Sequence, residues 1–135
     1  MVGDYMVMGL SKNKVILDTS ALLLMSEGYN FFDKVEREFG NVEYIVPKSV
    51  VSEMNKLSKE NLKHKKSLNL FMRLLDTYNM RIIETGNTYA DKDLLEMDGS
   101  LFVTTDFELA KKLKDQGKKV LVLKQNRYYD FYWGG

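Results

Sequence analysis

Four carboxylates in this chain follow four short apolar segments, and that spacing is the first pointer to chemistry. The four acids are Asp18, Glu53, Asp91 and Asp106. The segments before them are only three or four residues long and rich in aliphatic side chains, which predicts strands buried on both faces. Because the carboxyl ends of parallel strands meet at one edge of a sheet, the four acids are expected to gather there.

Each acid also has an ordinary structural explanation. Asp18 could cap the helix that follows it, and Asp106 could be a first-turn acid favoured by the helix dipole. Asp91 could close a capping box with Thr88, whereas Glu53 could be an exposed helix residue. Together, however, these explanations require that every strand end received an acid by chance.

Carboxylates crowded at one edge repel each other unless a cation lies between them. Oxygen-only ligands favour Mg²⁺ or Mn²⁺, and Mg²⁺ prefers sites that it shares with phosphates. A metal of this kind activates water and stabilises a leaving oxygen, which suits phosphodiester hydrolysis. The chain has no cysteine and one histidine, so a thiolate or His-rich metal site is not expected. With 20 Lys+Arg against 19 Asp+Glu, net charge says nothing about partners.

The elements that must position these acids alternate along the chain. Apolar runs at 15–17, 44–46, 80–83, 101–103 and 120–123 predict strands, and the segments between them show helical spacing. This alternation predicts an α/β fold: a three-layer α/β/α sandwich with a mainly parallel central sheet of about five strands. The 135 residues fit one domain, 1–135, with an N-terminal extension at 1–13 and an aromatic tail at 125–135. Without a membrane-length apolar run or a basic leader, we expect a cytoplasmic protein with no membrane partner.

Four motifs in this order resemble the PIN-domain ribonucleases, from Val15 to about Arg127. They are Leu17-Asp18-Thr19-Ser20, the strand-Pro-helix segment 45–53 ending at Glu53, Tyr89-Ala90-Asp91, and Thr104-Thr105-Asp106. The resemblance implies a metal-dependent endoribonuclease that hydrolyses single-stranded RNA with Mg²⁺ or Mn²⁺, leaving a 5′-phosphate and a 3′-hydroxyl.

The same resemblance implies roles for individual residues. It assigns Asp18, Glu53, Asp91 and Asp106 as both catalytic and metal-binding acids, and Ser20 and Thr104 as polar support. Asp93 adds a carboxylate two residues after Asp91, so which of the two faces the metal stays open.

The biological setting also stays open. The Tyr-Ala-Asp and Thr-x-Asp-x-Glu-Leu phrases suggest the archaeal ribosome-processing branch of the family, which would act in ribosomal RNA processing on single-stranded or structured RNA. The VapC-type toxins share the same core and pair with an antitoxin. A non-catalytic RNA-binding scaffold is the third alternative. The protein could also form a homodimer or bind a ribosomal precursor.

Two further stretches have a composition that could bind RNA. Lys56, Lys59, Lys63, Lys65 and Lys66 cluster with His64 between two predicted helices. This cluster is either a solvated turn or a phosphate track that leads to the acids. The tail 127–133 is rich in aromatic residues, which could pack on the domain or on a second subunit, or could stack on bases.

Overall fold

Six strands among the described residues form one sheet in the order β3-β2-β1-β4-β5-β6. The computed structural model describes residues 13–28 and 30–124 and the backbone of 129–132. The strands are β1 (Asn13–Leu17), β2 (Val42–Pro47), β3 (Met80–Ile83), β4 (Leu101–Thr104), β5 (Val120–Leu123) and β6 (Tyr129–Tyr132). Strands β1 to β5 are parallel, and β6 pairs antiparallel with β5.

In the part of the chain that the structure describes, six α-helices connect the strands. They are α1 (Thr19–Leu23), α2 (Phe32–Phe39), α3 (Lys48–Ser58), α4 (Leu62–Thr77), α5 (Ala90–Glu96) and α6 (Phe107–Asp115), and a 3₁₀ helix (Leu24–Glu27) prolongs α1. Helices α1, α3 and α4 pack together, whereas α6 packs on β4, β5 and α5. Right-handed crossovers that run from β1 towards β3 and from β4 towards β5 place these two groups on opposite faces. The predicted three-layer fold with a mainly parallel sheet is therefore confirmed.

The strand order reverses between β1 and β4. Connections from β1 run towards β2 on one side, and connections from β4 run towards β5 on the other. Such a switch point leaves a crevice at the carboxyl ends of the two strands, which is where ligands bind in open α/β sheets. Asp18 follows β1 and Asp106 follows β4, so two of the four acids border this crevice.

The centre of the sheet is apolar because both of its faces are covered. Every residue of β4 and β5 is buried, as are Val15, Ile16 and Leu17 of β1. This accounts for the unbroken apolar runs in the sequence, since alternation is expected only where one face meets water. The strands thereby form a rigid frame whose carboxyl ends carry the acids.

The local geometry favours glycine at residues 28 and 99. Gly28 ends the 3₁₀ helix in the left-handed conformation, with φ of 84°, which a side chain disfavours. Gly99 lies against β1, and a Cβ there would lie 2.7 Å from Ile16 Cγ1. The chain can therefore pass close to β1 before it enters β4 only because residue 99 has no side chain.

Some sequence expectations lie at the margins of the described residues. The N-terminal extension lies outside them, apart from Asn13, which begins β1. Most of the aromatic tail also lies outside them, but its residues 129–132 add the edge strand β6. None of the helices in the described ranges is long and apolar enough to cross a membrane.

Candidate active site

Asp18 is held at the switch point by hydrogen bonds to β4 and to the start of α1. Its backbone N–H donates to the carbonyl oxygen of Val103 at 3.0 Å, which continues the β1–β4 ladder by one residue. Its carboxylate Oδ2 accepts hydrogen bonds from Ser20 Oγ at 2.8 Å and from Thr104 Oγ1 at 2.6 Å. Asp18 occupies the N-cap position of α1, but its side chain makes no capping hydrogen bond there, so capping does not account for this carboxylate.

The two hydroxyls that bind Asp18 are themselves fixed. Ser20 Oγ accepts from the backbone N–H of Thr105 at 2.9 Å, and Thr104 Oγ1 accepts from the N–H of Asp106 at 3.0 Å. The two hydroxyl oxygens lie 3.2 Å apart. This network joins the start of α1 to the end of β4 and leaves Asp18 little rotational freedom.

The environment of Asp18 opposes its charge. The residue is only 4% exposed, and burial raises the pKa of its carboxyl, with Asp91 adding to the increase. Hydrogen bonds from Thr104 and Ser20 favour the charged form but do not cancel the effect of burial. A cation beside this carboxylate would therefore stabilise it.

Asp91 interacts electrostatically with all three other acids. It lies exposed in the first turn of α5. Partial burial raises its pKa, and the charges of Asp106 and Glu53 raise it further, while Lys112 opposes them. Asp91 in turn contributes to the raised pKa of Asp18.

Asp106 and Glu53 complete the cluster from two other helices. Asp106 is the N-cap of α6, where its Oδ1 accepts from the N–H groups of Glu108 at 3.0 Å and Leu109 at 3.1 Å. This is a full capping role, yet it uses one carboxylate oxygen. Glu53 lies exposed on α3.

Asp93, the extra acid, belongs to a different network. It is 2% exposed and accepts hydrogen bonds from Ser49 Oγ, from Thr85 Oγ1 at 2.6 Å and from Asn87 Nδ2 at 2.9 Å. Burial alone would raise the pKa of Asp93, but these hydrogen bonds outweigh it and lower the pKa. Asp93 therefore connects α5 to the start of α3 and to the 85–87 loop, whereas Asp91 interacts electrostatically with the other acids.

The donor set fits a divalent cation of the Mg²⁺ or Mn²⁺ type. Within the described ranges no three His, Cys, Asp or Glu side chains already surround a single point closely enough to hold a metal. Mg²⁺ does not require this, because it commonly binds through one or two carboxylates and retains several waters. A buried carboxylate with an elevated pKa beside exposed carboxylates supplies the negative charge that such an ion needs.

The lysine cluster is divided by the structure. Lys63 forms an ion pair with Glu27 at 3.6 Å, and Lys59, Lys65 and Lys66 lie exposed around the α3–α4 turn. Lys56 instead lines a cleft with Glu53. His64 is half-buried near Asn61, the N-cap of α4, whose side chain accepts from the His64 N–H at 2.8 Å.

Several residues around the site were not identified from the sequence. Ser49, Thr85 and Asn87 hold Asp93, and Lys112 acts on Asp91. Lys112 lies six residues after Asp106, on the helix that this acid caps. That position could have suggested that Lys112 lies near the acids. The loop residues carry no comparable periodic signal.

The strand order, the switch-point acids and the hydroxyl network define a PIN-like α/β domain. The chain matches the family described as PIN like domain over residues 15–126 and belongs to that family. The resemblance inferred from the four motifs is thus confirmed.

Among individual relatives, Ribonuclease VapC4 of Methanocaldococcus jannaschii is 26% identical over 126 residues, covering 88% of this chain and 96% of the relative. The solved PIN domain endonuclease Utp24 superposes with a TM-score of 0.67 at 17% identity, covering 89% of this chain and 91% of that one. A domain of a functionally unknown protein from M. jannaschii superposes at 0.56 with 19% identity, covering 83% and 91%. At these identities, the two structures establish the fold alone.

Proposed function

We propose that this protein is a metal-dependent endoribonuclease that hydrolyses phosphodiester bonds of single-stranded RNA. The observation that carries the proposal is the position of Asp91, which interacts with Asp18, Glu53 and Asp106 from one helix start. Four carboxylates from four separate elements thus share one electrostatic neighbourhood at the switch point. The similarity to Ribonuclease VapC4 over nearly its whole length supports the same activity.

In this proposal each acid has a distinct task. Asp18 is the fixed ligand, because Ser20 and Thr104 hold one of its oxygens. Asp91 and Glu53 are exposed and close the site from the solvent side, and Asp106 contributes while its other oxygen caps α6. Mg²⁺ or Mn²⁺, when bound, would lower the pKa of a water and stabilise the leaving oxygen.

The four acids argue against a purely non-catalytic scaffold. An RNA-binding surface gains from positive charge, so an acid cluster with a buried member would only weaken it. A metal-binding function explains why the domain tolerates this mutual repulsion.

The activity is tested by cleavage of a labelled single-stranded RNA with Mn²⁺ or Mg²⁺. Asp18→Asn preserves shape and removes charge, so cutting should be lost while the fold is retained. Asp115→Asn, which removes an exposed acid at the end of α6, is the matched control and should cut normally. Full activity of Asp18→Asn, or activity that persists in a chelator, would contradict the proposed site.

Two biological settings accommodate this activity. A VapC-type toxin with an antitoxin partner is favoured by the similarity to Ribonuclease VapC4, whereas ribosomal RNA processing follows from the motif phrases around Asp91 and Asp106. Expression in a bacterial host separates them. A toxin should arrest growth of this host unless Asp18 is replaced, whereas a processing enzyme should leave its growth intact. In the native organism, deletion of a processing enzyme should cause ribosomal precursors to accumulate.

A further inference from the structure

We propose that the cleft between α3 and the start of α5 is a subsite for one unpaired nucleotide, whose base stacks on Tyr89 and whose phosphate binds Lys56. The proposal rests on the RNA-directed function argued above. It adds a specific substrate contact outside the acid cluster.

The cleft has one helical wall and one loop wall. Its volume is about 360 Å³. The helical wall is one face of α3, extended by Glu60 just beyond the end of that helix. Its residues recur every three or four positions; they are Ser49, Ser52, Glu53, Lys56, Leu57 and Glu60. Residues 88–90, which lead into α5, form the opposite wall.

The cleft is continuous with the acid cluster. Glu53 lies on its α3 wall, and Asp91 directly follows Ala90 on the other. A chain that enters the acid site from this side must pass between Tyr89 and α3. The two walls are also tied together, because Asp93 of α5 accepts a hydrogen bond from Ser49 of α3.

Tyr89 presents an aromatic face at this position. Its side chain is 72% exposed, and its residue is the N-cap of α5, so the backbone that carries it is fixed by the helix start. A single exposed aromatic residue is common on protein surfaces. This one, however, lines a cleft beside the acids, and an aromatic ring accepts any base because every base has a π-face.

Lys56 supplies the charge that a phosphate requires. It is exposed on the α3 wall between Glu53 and Leu57 and forms no ion pair within the described ranges. Lys63, in contrast, is paired with Glu27. Glu60 lies four residues after Lys56 on the same wall. A phosphate is therefore favoured beside Lys56 and disfavoured beside Glu60.

The volume of the cleft is compatible with a single nucleotide as its ligand. Ligand sites in proteins span about 300–1,000 Å³, and this cleft lies at the lower end of that range. A volume of about 360 Å³ is sufficient for one base with its sugar. The half-buried Leu57 provides an apolar surface opposite the ring.

Binding is measured without metal, by fluorescence anisotropy of a labelled single-stranded RNA dodecamer in EDTA. Tyr89→Ala should weaken binding about 5- to 150-fold, the range of one base–aromatic stack, and Tyr89→Phe should bind as wild type does. Met72→Ala is the matched control, because Met72 is 51% exposed on α4 outside the cleft. An equal loss in Met72→Ala, or no loss in Tyr89→Ala, would overturn the stacking contact.

The phosphate contact is tested in the same assay by salt titration. Lys56→Gln should reduce the slope of log affinity against log salt by about 0.7, the value for one phosphate of a single strand. Glu60→Gln should tighten binding, because it removes the opposing charge. Arg37→Gln, on α2 away from the cleft, should leave the slope unchanged. Equal slopes for wild type and Lys56→Gln would remove Lys56 from the subsite.

An abasic scan distinguishes this subsite from general RNA affinity. Removing one base at a time should weaken binding to wild type at one position, and that position should lose its effect in Tyr89→Ala because the two changes remove the same contact. An effect that persists in Tyr89→Ala would contradict the stack.

If wild type cuts RNA and Asp18→Asn does not, while Tyr89→Ala binds normally, the subsite is wrong and the nuclease function stands. If Tyr89→Ala loses binding but wild type cuts no RNA, the subsite stands and the nuclease function is wrong.

Discussion

Replacing Asp93 with alanine should lower the free energy of unfolding far more than replacing Asp91 does, although the two acids lie on one short helix. Asp93 accepts three hydrogen bonds in a nearly solvent-free position, whereas Asp91 is exposed. The Asp93→Ala change leaves Ser49, Thr85 and Asn87 without their acceptor. The pair of variants therefore separates a residue that holds the fold from one that we propose acts in cleavage.

The magnitude follows from the three contacts. A hydrogen bond to a charged group contributes about 1.5–3 kcal/mol, so three independent bonds would contribute at most about 9 kcal/mol. Thr85 and Asn87 are half-buried and can bond to water after the change, whereas Ser49 is buried and cannot. We therefore expect Asp93→Ala to lower the free energy of unfolding by about 3–4 kcal/mol.

Urea denaturation followed by circular dichroism measures this difference. Asp91→Ala should change the free energy of unfolding by less than about 0.5 kcal/mol, as is usual for an exposed site, yet it should abolish RNA cleavage. A loss below about 1 kcal/mol in Asp93→Ala, or equal losses in both variants, would refute the assignment of the two acids.

The same contacts predict how stability depends on pH. The folded-state pKa of Asp93 lies below its unfolded value, so its contribution is complete above the unfolded pKa and is lost as pH falls through the folded pKa. Asp18 and Asp91 have the opposite sign, because their pKa values are raised in the folded state and protonation relieves their cost. Asp93→Asn should therefore be less sensitive to acid than wild type in the same denaturation assay, and equal acid sensitivity would contradict the assignment.

Three further changes have definite expected outcomes. Asp18→Asn should raise the metal-free melting temperature, because it removes a buried charge, and should blunt the stabilisation by Mn²⁺; a lower melting temperature with a full Mn²⁺ response would contradict the metal site. Replacing Lys59, Lys63 and Lys66 together should weaken RNA binding and flatten its salt dependence, and an unchanged slope would mean that the cluster is a solvated turn. Thr19→Val should leave cleavage intact and should preserve stability or raise it by about 1 kcal/mol. The reason is that the buried Thr19 Oγ1 has no hydrogen-bond partner among the described residues. Calorimetry measures the change, and a marked loss of stability would show that the hydroxyl has a partner.

The sequence predicts the strands and the acid positions well because both depend on simple patterns. Short apolar runs identify buried strands, and a carboxylate after such a run falls at the edge of the sheet, as Asp18 and Asp106 do. Pattern does not show helix type, because the turn that Gly28 ends, Leu24–Glu27, is 3₁₀ rather than α.

The division between Asp91 and Asp93 could not be predicted from pattern. Both residues lie in the first turns of α5, and their difference arises from donors that the fold brings from elsewhere. Thr85 and Asn87 approach from an irregular loop, and Ser49 from the start of α3, 44 residues before Asp93. Periodicity carries no information about such contacts, because it reports which face of an element is buried and not which loop donors reach it.

The hydroxyl network at Asp18 also bears on when the site comes into being. It joins Asp18 to Thr104, 86 residues later in the chain, so the fixed carboxylate does not exist until β4 lies beside β1. At translation rates of about 5–20 residues per second, the later strand follows the first by roughly 4–17 seconds. In the proposed ribonuclease, the nascent chain would therefore stay inactive during this interval.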